Sequence, residues 1–364
     1  MSLERPCPAC GGELLPWRTV PGSDPALPGW YELARCVACA SAVTLAPARP
    51  EAHERGAYGG GAPRGAGFAA PILRAFDRHR LTLLQRSGAR TPGRLLDVGA
   101  GRGRFVAAAR AAGWYAQGIE PSRRGIAGAQ AIGIELLQAE IGDAAVPAGS
   151  VDAATLWHVL EHLDEPGPAL ERIAGWLAPG GLLLVGVPNL SSVQAWLGGA
   201  RWYHLDVPRH RTHFTVDGLH ALLRRHDLEP VATHHLLAEH NPFGLWVSVT
   251  SRATRTPSWL YHALKRNAPL RSRDALVTAL ALALVPLAIL AELAFGLARR
   301  GGTVAVVARR RDRGTRSGGL TQKRGVAARV PRRPRHRPRS AAPPPAAPRP
   351  RRRRLRRDGQ TKGR

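Results

Sequence analysis

Leu95-Leu96-Asp97-Val98-Gly99-Ala100-Gly101-Arg102-Gly103 carries an apolar strand into a glycine-spaced loop and opens a helix. Glycine in such a loop allows a tight turn and a close approach of backbone to a ligand. The next apolar run ends at Ile119-Glu120-Pro121, which places an acid 23 residues after Asp97. An acid at that strand end can accept both hydroxyls of a ribose. Loops of this kind gather at the carboxyl ends of parallel strands, where nucleotide-like cofactors bind. The spacing is G-x-G-x-G rather than G-x-G-x-x-G, and Asp97 precedes it. An acid there suits a cofactor with an amino or sulfonium group better than one with phosphates.

Outward from this loop, strands and helices alternate. Apolar periodicity predicts strands over 94–98, 114–119, 134–138, 151–156, 182–187, 230–234 and 303–308. Helices are predicted over 71–88, 102–112, 122–132, 168–177 and 216–226. Continuous apolar strands separated by helices indicate a sheet covered on both faces. The expected fold is α/β, Rossmann-like and doubly wound, with a mostly parallel seven-stranded sheet.

With these motifs in order, and with Ser150-Val151-Asp152-Ala153-Ala154-Thr155-Leu156-Trp157-His158-Val159-Leu160-Glu161-His162-Leu163 and Leu177-Ala178-Pro179-Gly180-Gly181 following, the chain resembles the class I S-adenosylmethionine-dependent methyltransferases, in their small-molecule branch. The resemblance covers about 70–235 and 303–308. It implies that Asp97, Gly99, Ala100 and Gly101 form the first cofactor motif and that Glu120 binds the ribose. Glu140, followed by Ile141, stands where members of the family hold the adenine. Many of them have Gly-Asp where this chain has Ala139-Glu140, and Asp143 is the alternative acid. Trp157 and His158 would line the cofactor pocket. The family closes its sheet with an antiparallel strand, a place that 303–308 fits.

Methyl transfer from a sulfonium is an in-line displacement that needs alignment and, for a hydroxyl acceptor, a base. After the fourth strand the chain has Trp157-His158-Val159-Leu160, not the Asn/Asp-Pro-Pro-aromatic motif of enzymes that methylate base amino groups. All four cysteines lie before residue 40, so no nucleophilic Cys is at hand for cytosine chemistry. A nucleic-acid acceptor is therefore disfavoured. The candidate catalytic residues are His158, His210 and His213, since an imidazole titrates near neutrality. His162, four residues after His158, reads as packing. The function expected is transfer to a small-molecule, glycan or lipid-linked biosynthetic acceptor, at oxygen. The alternatives are a nucleic-acid methyltransferase guided by the N-terminal module and basic tail, and a non-catalytic cofactor-binding scaffold.

Cys7-Pro8-Ala9-Cys10 and Cys36-Val37-Ala38-Cys39 form two C-x-x-C pairs 25 residues apart, a little over the usual zinc-ribbon gap. Four thiolates so placed suit structural zinc. Gly11-Gly12 permits the first knuckle to turn, whereas Ala40 stands in the equivalent place of the second. The domains expected are a zinc-ribbon-like module over 1–50, a glycine-rich flexible linker over 51–70, a methyltransferase domain over 71–308 and an Arg/Pro-rich disordered tail over 309–364. That tail holds 22 Lys and Arg against 2 Asp, so +20 of the net charge of +27 lies there. It reads as a solvated tail, with polyanion or membrane-surface contact as the alternative.

Residues 236–300 interrupt the strand–helix alternation with an apolar helical insert. Its segment 275–298 is long enough to span a bilayer. A single crossing would separate two strands of one sheet, so a hairpin bent at Pro286 is expected, making peripheral membrane contact or serving as core. Residues 1–20 show no secretory signal pattern, and the expected location is cytoplasmic, attached to the inner face of the membrane.

Overall fold

The computed structural model describes residues 5–25, 27–47, 66–265 and 271–311. Of the disordered tail expected over 309–364, residues 309–310 belong instead to the last strand, while 312 onward and most of the expected linker lie outside the described residues.

The chain begins with two cysteine knuckles that flank an antiparallel hairpin, β1 (Leu14–Pro21) and β2 (Trp30–Cys36). β3 (Ala42–Thr44) pairs with β2. The knuckles repeat one backbone pattern. Gly11 N–H donates to Cys7 O and Cys7 N–H to Gly12 O; Ala40 N–H donates to Cys36 O and Cys36 N–H to Ser41 O. Both turns need a left-handed residue in the same place, and Ala40 adopts φ 58° where Gly11 has φ 80°.

α1 (Ala66–Arg86) starts five residues before the expected Pro71 and carries that proline within it. The Rossmann-like part then follows as β4 (Arg94–Val98), α2 (Arg104–Ala111), β5 (Tyr115–Ile119), α3 (Arg123–Gln130), β6 (Val151–Trp157), α4 (Pro166–Trp176), β7 (Leu177–Pro188), α5 (Val193–Gly198), β8 (Thr212–His213), α6 (Val216–Arg225) and β9 (Leu228–His234). The insert contributes α7 (Asn241–Thr250), α8 (Trp259–Leu264), α9 (Ser272–Leu280) and α10 (Val285–Leu297) before β10 (Thr303–Arg310).

The main sheet has the order β5-β4-β6-β7-β10-β9, in which β10 runs antiparallel to both of its neighbours. It has six strands, not the expected seven. Residues 134–138 contribute only a bridge between Leu137 and Ile119, with Leu137 N–H donating to Gly118 O and Glu120 N–H to Leu137 O. Leu137 is half exposed at the sheet edge, and little burial is available there to draw the segment into a full strand.

Side chains alternate across the sheet as a period of two requires. Leu96, Leu156, Leu183, Val185 and Val306 enter the core on one face; Leu95, Leu182, Leu184 and Val307 enter the other. The cysteine module shares the first core through Leu14, Ala34 and Val43. Its β3 pairs with β8, and Thr215, the N-cap of α6, donates to Cys39 O (2.6 Å) while its N–H donates to Ser41 Oγ (3.1 Å). Gly218, one turn into α6, allows this approach: a Cβ there would lie 2.1 Å from Ser41 Oγ and 3.2 Å from Cys39 Sγ.

The expected hairpin at Pro286 is absent. A 3-10 turn over Ala281–Leu284 joins α9 to α10, and Ser272–Leu297 is one continuous apolar helix of 26 residues. Pro286 falls in the first turn of α10, just after the 3-10 segment, where its ring is accommodated. One side of this helix packs on α7 through Ala288, Val285 and Phe295 against Leu245 and Trp246.

Replacing Gly218 by Ala is expected to lower unfolding stability by about 1–3 kcal/mol, the cost of overpacking a filled site. The readout is the urea midpoint, and an unchanged midpoint would mean that the module and α6 do not meet this closely.

Candidate functional site

The loop after β4 turns through Gly99 (φ 75°), Gly101 (φ 57°) and Gly103 (φ 71°), all left-handed conformations that glycine adopts freely. Gly99 also lies under Val159, whose Cγ2 would be 2.4 Å from a Cβ at that position. Glu120, just past β5, spans the loop and its own strand end. Gly101 N–H donates to Oε2 (2.8 Å) and Ser122 N–H to Oε1 (2.9 Å). Asp97 is buried at the end of β4 and accepts from Thr155 Oγ1 of β6 (2.5 Å). Burial pushes its carboxyl up to about 6 against the pull of that hydrogen bond.

Gly101 forms part of the lining of a cavity of about 490 Å3. Trp157 and His158 border it at the end of β6, with the Arg80 guanidinium 4.3 Å over the Trp157 ring. His158 sits at φ 56°, a strained conformation for a non-glycine residue and one that clusters at functional sites. Its Nδ1 lies 2.8 Å from Glu161 Oε1. A carboxylate only accepts, so Nδ1 carries a proton, and in the neutral ring the lone pair is on Nε2.

The rest of the cavity comes from the loop between α5 and β8 and from the insert: Tyr203, His204, Asp206, Arg209 and His210 from the former, His240, Tyr261, His262 and Lys265 from the latter. His204 and His240 are held well below the usual imidazole range by burial, and His262 is pushed down to about 4, so all three are neutral at physiological pH. Burial alone would raise the Asp206 carboxyl. The neighbouring Arg209 and His210 outweigh it and hold Asp206 well below the ordinary carboxylate range. Ser23 of the cysteine module also donates to Asp206 (2.6 Å).

The structure brings together Gly101, Trp157, His158 and His210 of the expected site residues, with His162 beside them. Asp97, Gly99, Ala100 and Glu120 surround the loop. Glu140 and Ile141 border a neighbouring depression shared with Leu163 and Pro168. His213 does not reach the cavity. It lies in β8 with Nε2 3.0 Å from Thr44 Oγ1, and burial pushes it down to about 3. It takes part in the strand pairing with β3, opposite Ala42. His204, His240 and His262 were not anticipated. The one available signal was their histidine and tyrosine neighbourhood, in segments whose long-range placement follows from topology.

In the N-terminal module the four cysteine sulfurs lie within 4.8 Å of one another. Cys7 Sγ is 3.8 Å from Cys39 Sγ, and Cys10 Sγ is 3.4 Å from Cys36 Sγ. Four thiolates bound tetrahedrally to zinc stand about 3.8 Å apart. The donor set fits that metal.

A glycine loop with paired carboxylates at the carboxyl edge of this mixed sheet defines a Rossmann-like nucleotide-cofactor fold. Residues 70–233 match a family model described as a methyltransferase domain. This stretch is a methyltransferase domain by that match. No curated protein matches the chain. Among solved structures, a methyltransferase from Thermotoga maritima is 18% identical with a TM-score of 0.43, covering 71% of this chain and 99% of that one. The 1,6-didemethyltoxoflavin-N1-methyltransferase of Burkholderia thailandensis, with its substrate and S-adenosylhomocysteine bound, is 19% identical with a TM-score of 0.41, covering 76% and 98%. The geranyl diphosphate C-methyltransferase of Streptomyces coelicolor is 17% identical with a TM-score of 0.40, covering 66% and 81%. Likenesses this distant decide nothing about the acceptor.

Asp97 carries a pH signature. An acid whose folded pKa is raised contributes stability that is complete below its unfolded pKa and is lost as pH rises through the folded value. For Asp97 that window runs from about 4 to about 6, and the loss is on the order of 3 kcal/mol at pH 7. Asp97→Asn keeps an oxygen for Thr155. It is expected to raise the melting temperature of the cofactor-free protein at pH 7.5 and to leave it unchanged near pH 4. Equal melting temperatures at pH 7.5 would show that Asp97 is not ionised at a cost there.

Proposed function

We propose that the methyl group is delivered to an oxygen of a small-molecule, glycan or lipid-linked acceptor bound in the histidine-lined cavity. The observation that carries this reading is the cavity itself. Its volume suits a small molecule, and it runs from Gly101 at the cofactor loop to a wall of neutral imidazoles and tyrosines. In this assignment Asp97, Gly99, Ala100 and Gly101 face the methionine and ribose portions, and Glu120 takes the ribose hydroxyls. Glu140 and Ile141 hold the adenine, and Trp157 and His158 border the sulfonium. His158, oriented by Glu161, accepts the acceptor's hydroxyl proton as the oxygen–carbon bond forms. Bound S-adenosylmethionine would supply the methyl group and leave as the neutral thioether. His210 is the second candidate base. The four cysteines hold structural zinc and do no chemistry on the substrate.

The reading is tested by mass spectrometry of cell extracts incubated with isotopically labelled S-adenosylmethionine. A labelled low-mass or lipid-linked product is expected, and label found only in nucleic acid would overturn the assignment. In the same enzyme Glu120→Ala should weaken cofactor binding by about 2–3 kcal/mol, the scale for lost charged hydrogen bonds. Calorimetric titration with unchanged affinity would remove Glu120 from the site.

The outer side of the long helix supports membrane attachment. Leu276, Leu280, Leu287, Leu290 and Leu297 are each more than 60% exposed and recur at helical spacing on one stripe. Arg271 and Arg273 precede them; Arg299 and Arg300 follow. Glu292 faces inward and accepts from Gln194 Nε2 (2.7 Å), leaving the stripe without a charge. β9 and β10, on either side of the insert, lie in one sheet, so the helix rests on the bilayer surface and does not cross it. On fractionation the full chain should sediment with membranes, and a variant with these five leucines changed to Gln should stay in the supernatant. A wild-type protein wholly in the supernatant as a monomer rules the attachment out; a detergent-free dimer assigns the stripe to a second copy.

A further inference from the structure

We propose that Glu161, His162 and His210 bind a divalent first-row cation in the wall of the acceptor cavity, separate from the four cysteines. The inference rests on reading that cavity as the acceptor site. Each residue offers one ligand atom, and the three atoms lie within 4.8 Å of one another. Two elements supply them: Glu161 and His162 from the 3-10 turn after β6, His210 from the loop before β8.

The state of each ligand is set by its neighbours. Glu161 is 1% exposed, and its Oε1 is engaged with His158. Its Oε2 is buried with no hydrogen-bond partner among the described residues. A buried carboxylate oxygen left so is costly and calls for a cation or a donor. His162 Nδ1 lies 3.2 Å from Arg209 O, and His210 Nδ1 lies 2.8 Å from His204 O. A carbonyl only accepts, so both rings carry a proton on Nδ1 and turn Nε2 to the ion; His210 Nε2 also lies 3.8 Å from Asp206 Oδ2, and the ion takes the place of the proton that this carboxylate favours there. Metal-binding histidines are held in this way, by an outer acceptor that fixes the tautomer. The two rings meet at 73° with centroids 4.6 Å apart, close enough to serve one ion without stacking.

Two imidazoles and one carboxylate form a donor set for Mn2+, Fe2+, Co2+ or Zn2+ rather than for the all-oxygen cations. Three protein ligands leave coordination positions open. His162 and His210 line the cavity while Glu161 is buried, so the open positions face the acceptor. The ligand class implied is an acceptor with an oxygen donor near the methylated position, such as a pair of adjacent hydroxyls. The same carboxylate then serves two purposes, one oxygen orienting His158 and the other holding the ion.

The test is calorimetric titration of Mn2+ into the purified full chain with zinc already on its cysteines. One further equivalent of Mn2+ is expected to bind. Glu161→Gln and His210→Gln should each weaken Mn2+ by at least about tenfold, with zinc content as in the wild type. No Mn2+ binding by the wild type, or unchanged affinity in both variants, overturns the site and assigns Glu161 Oε2 to a protonated histidine. Cofactor titration of the same samples reports folding independently, so either failure leaves the methyl-transfer reading in place.

Discussion

Strand β10 is paired on both edges, with β7 on one side and β9 on the other, and this fixes where everything after residue 234 goes. Thr303, the first residue of β10, is opposite Pro188, the last of β7. Ala305 is opposite His234, the last of β9. The insert therefore leaves and rejoins the sheet at the edge where β4, β6 and β7 deliver their carboxyl ends. A segment tied there at both ends has to lie beside the glycine loop. His240, Tyr261, His262 and Lys265 line the cavity for that topological reason. Buried polar groups seal the junction: Asn241 Oδ1 accepts from Thr303 N–H, Asn189 Nδ2 donates to Gly301 O, and Glu292 accepts from Gln194 and from Gly302 N–H.

The cysteine module is tied to the same end of the molecule. Its knuckles rest on the N-terminus of α6, and its hairpin sends Ser23 to Asp206 in the cavity wall. Asp206 in turn clamps Arg209, which also approaches Asp24 (3.8 Å). A metal held by the four cysteines would thus also order the carboxylate and guanidinium that border the cavity. The raised carboxyl of Asp97 and the lowered one of Asp206 show the two outcomes of burying an acid. For Asp97 burial outweighs the Thr155 hydrogen bond and the charge of Arg80, and for Asp206, with Arg209 in contact, the neighbouring charges outweigh burial.

Much of this was legible in the sequence because its signals are local. Period-two and period-3.6 patterns marked β4, β6, β7, β10 and their helices, and the glycines at 99, 101 and 103 marked a turn that needs positive φ. The composition of the Leu137 segment fits a strand; whether it pairs depends on how much surface an edge position can bury. Pro286 predicts a bend, but the 3-10 turn before it lets the helix continue. His213 carries the residue type of a base, and only the β3–β8 pairing shows that it is enclosed away from the cavity. His204, His240 and His262 escaped notice because residues so far apart in sequence converge through the closure at β10, which no local pattern records.

The long helix has two sides with different work. Ala288 and Glu292 turn inward to the elements that support the cavity, while the leucine stripe turns out. Helical geometry fixes the angle between those sides, and a lengthened or shortened insert would rotate both together. On the reading proposed above, the compound that is methylated and the surface on which the helix rests would be inherited as one trait. Divergence within this segment would change both at once, while the cofactor loop at the far side of the cavity remained as it was.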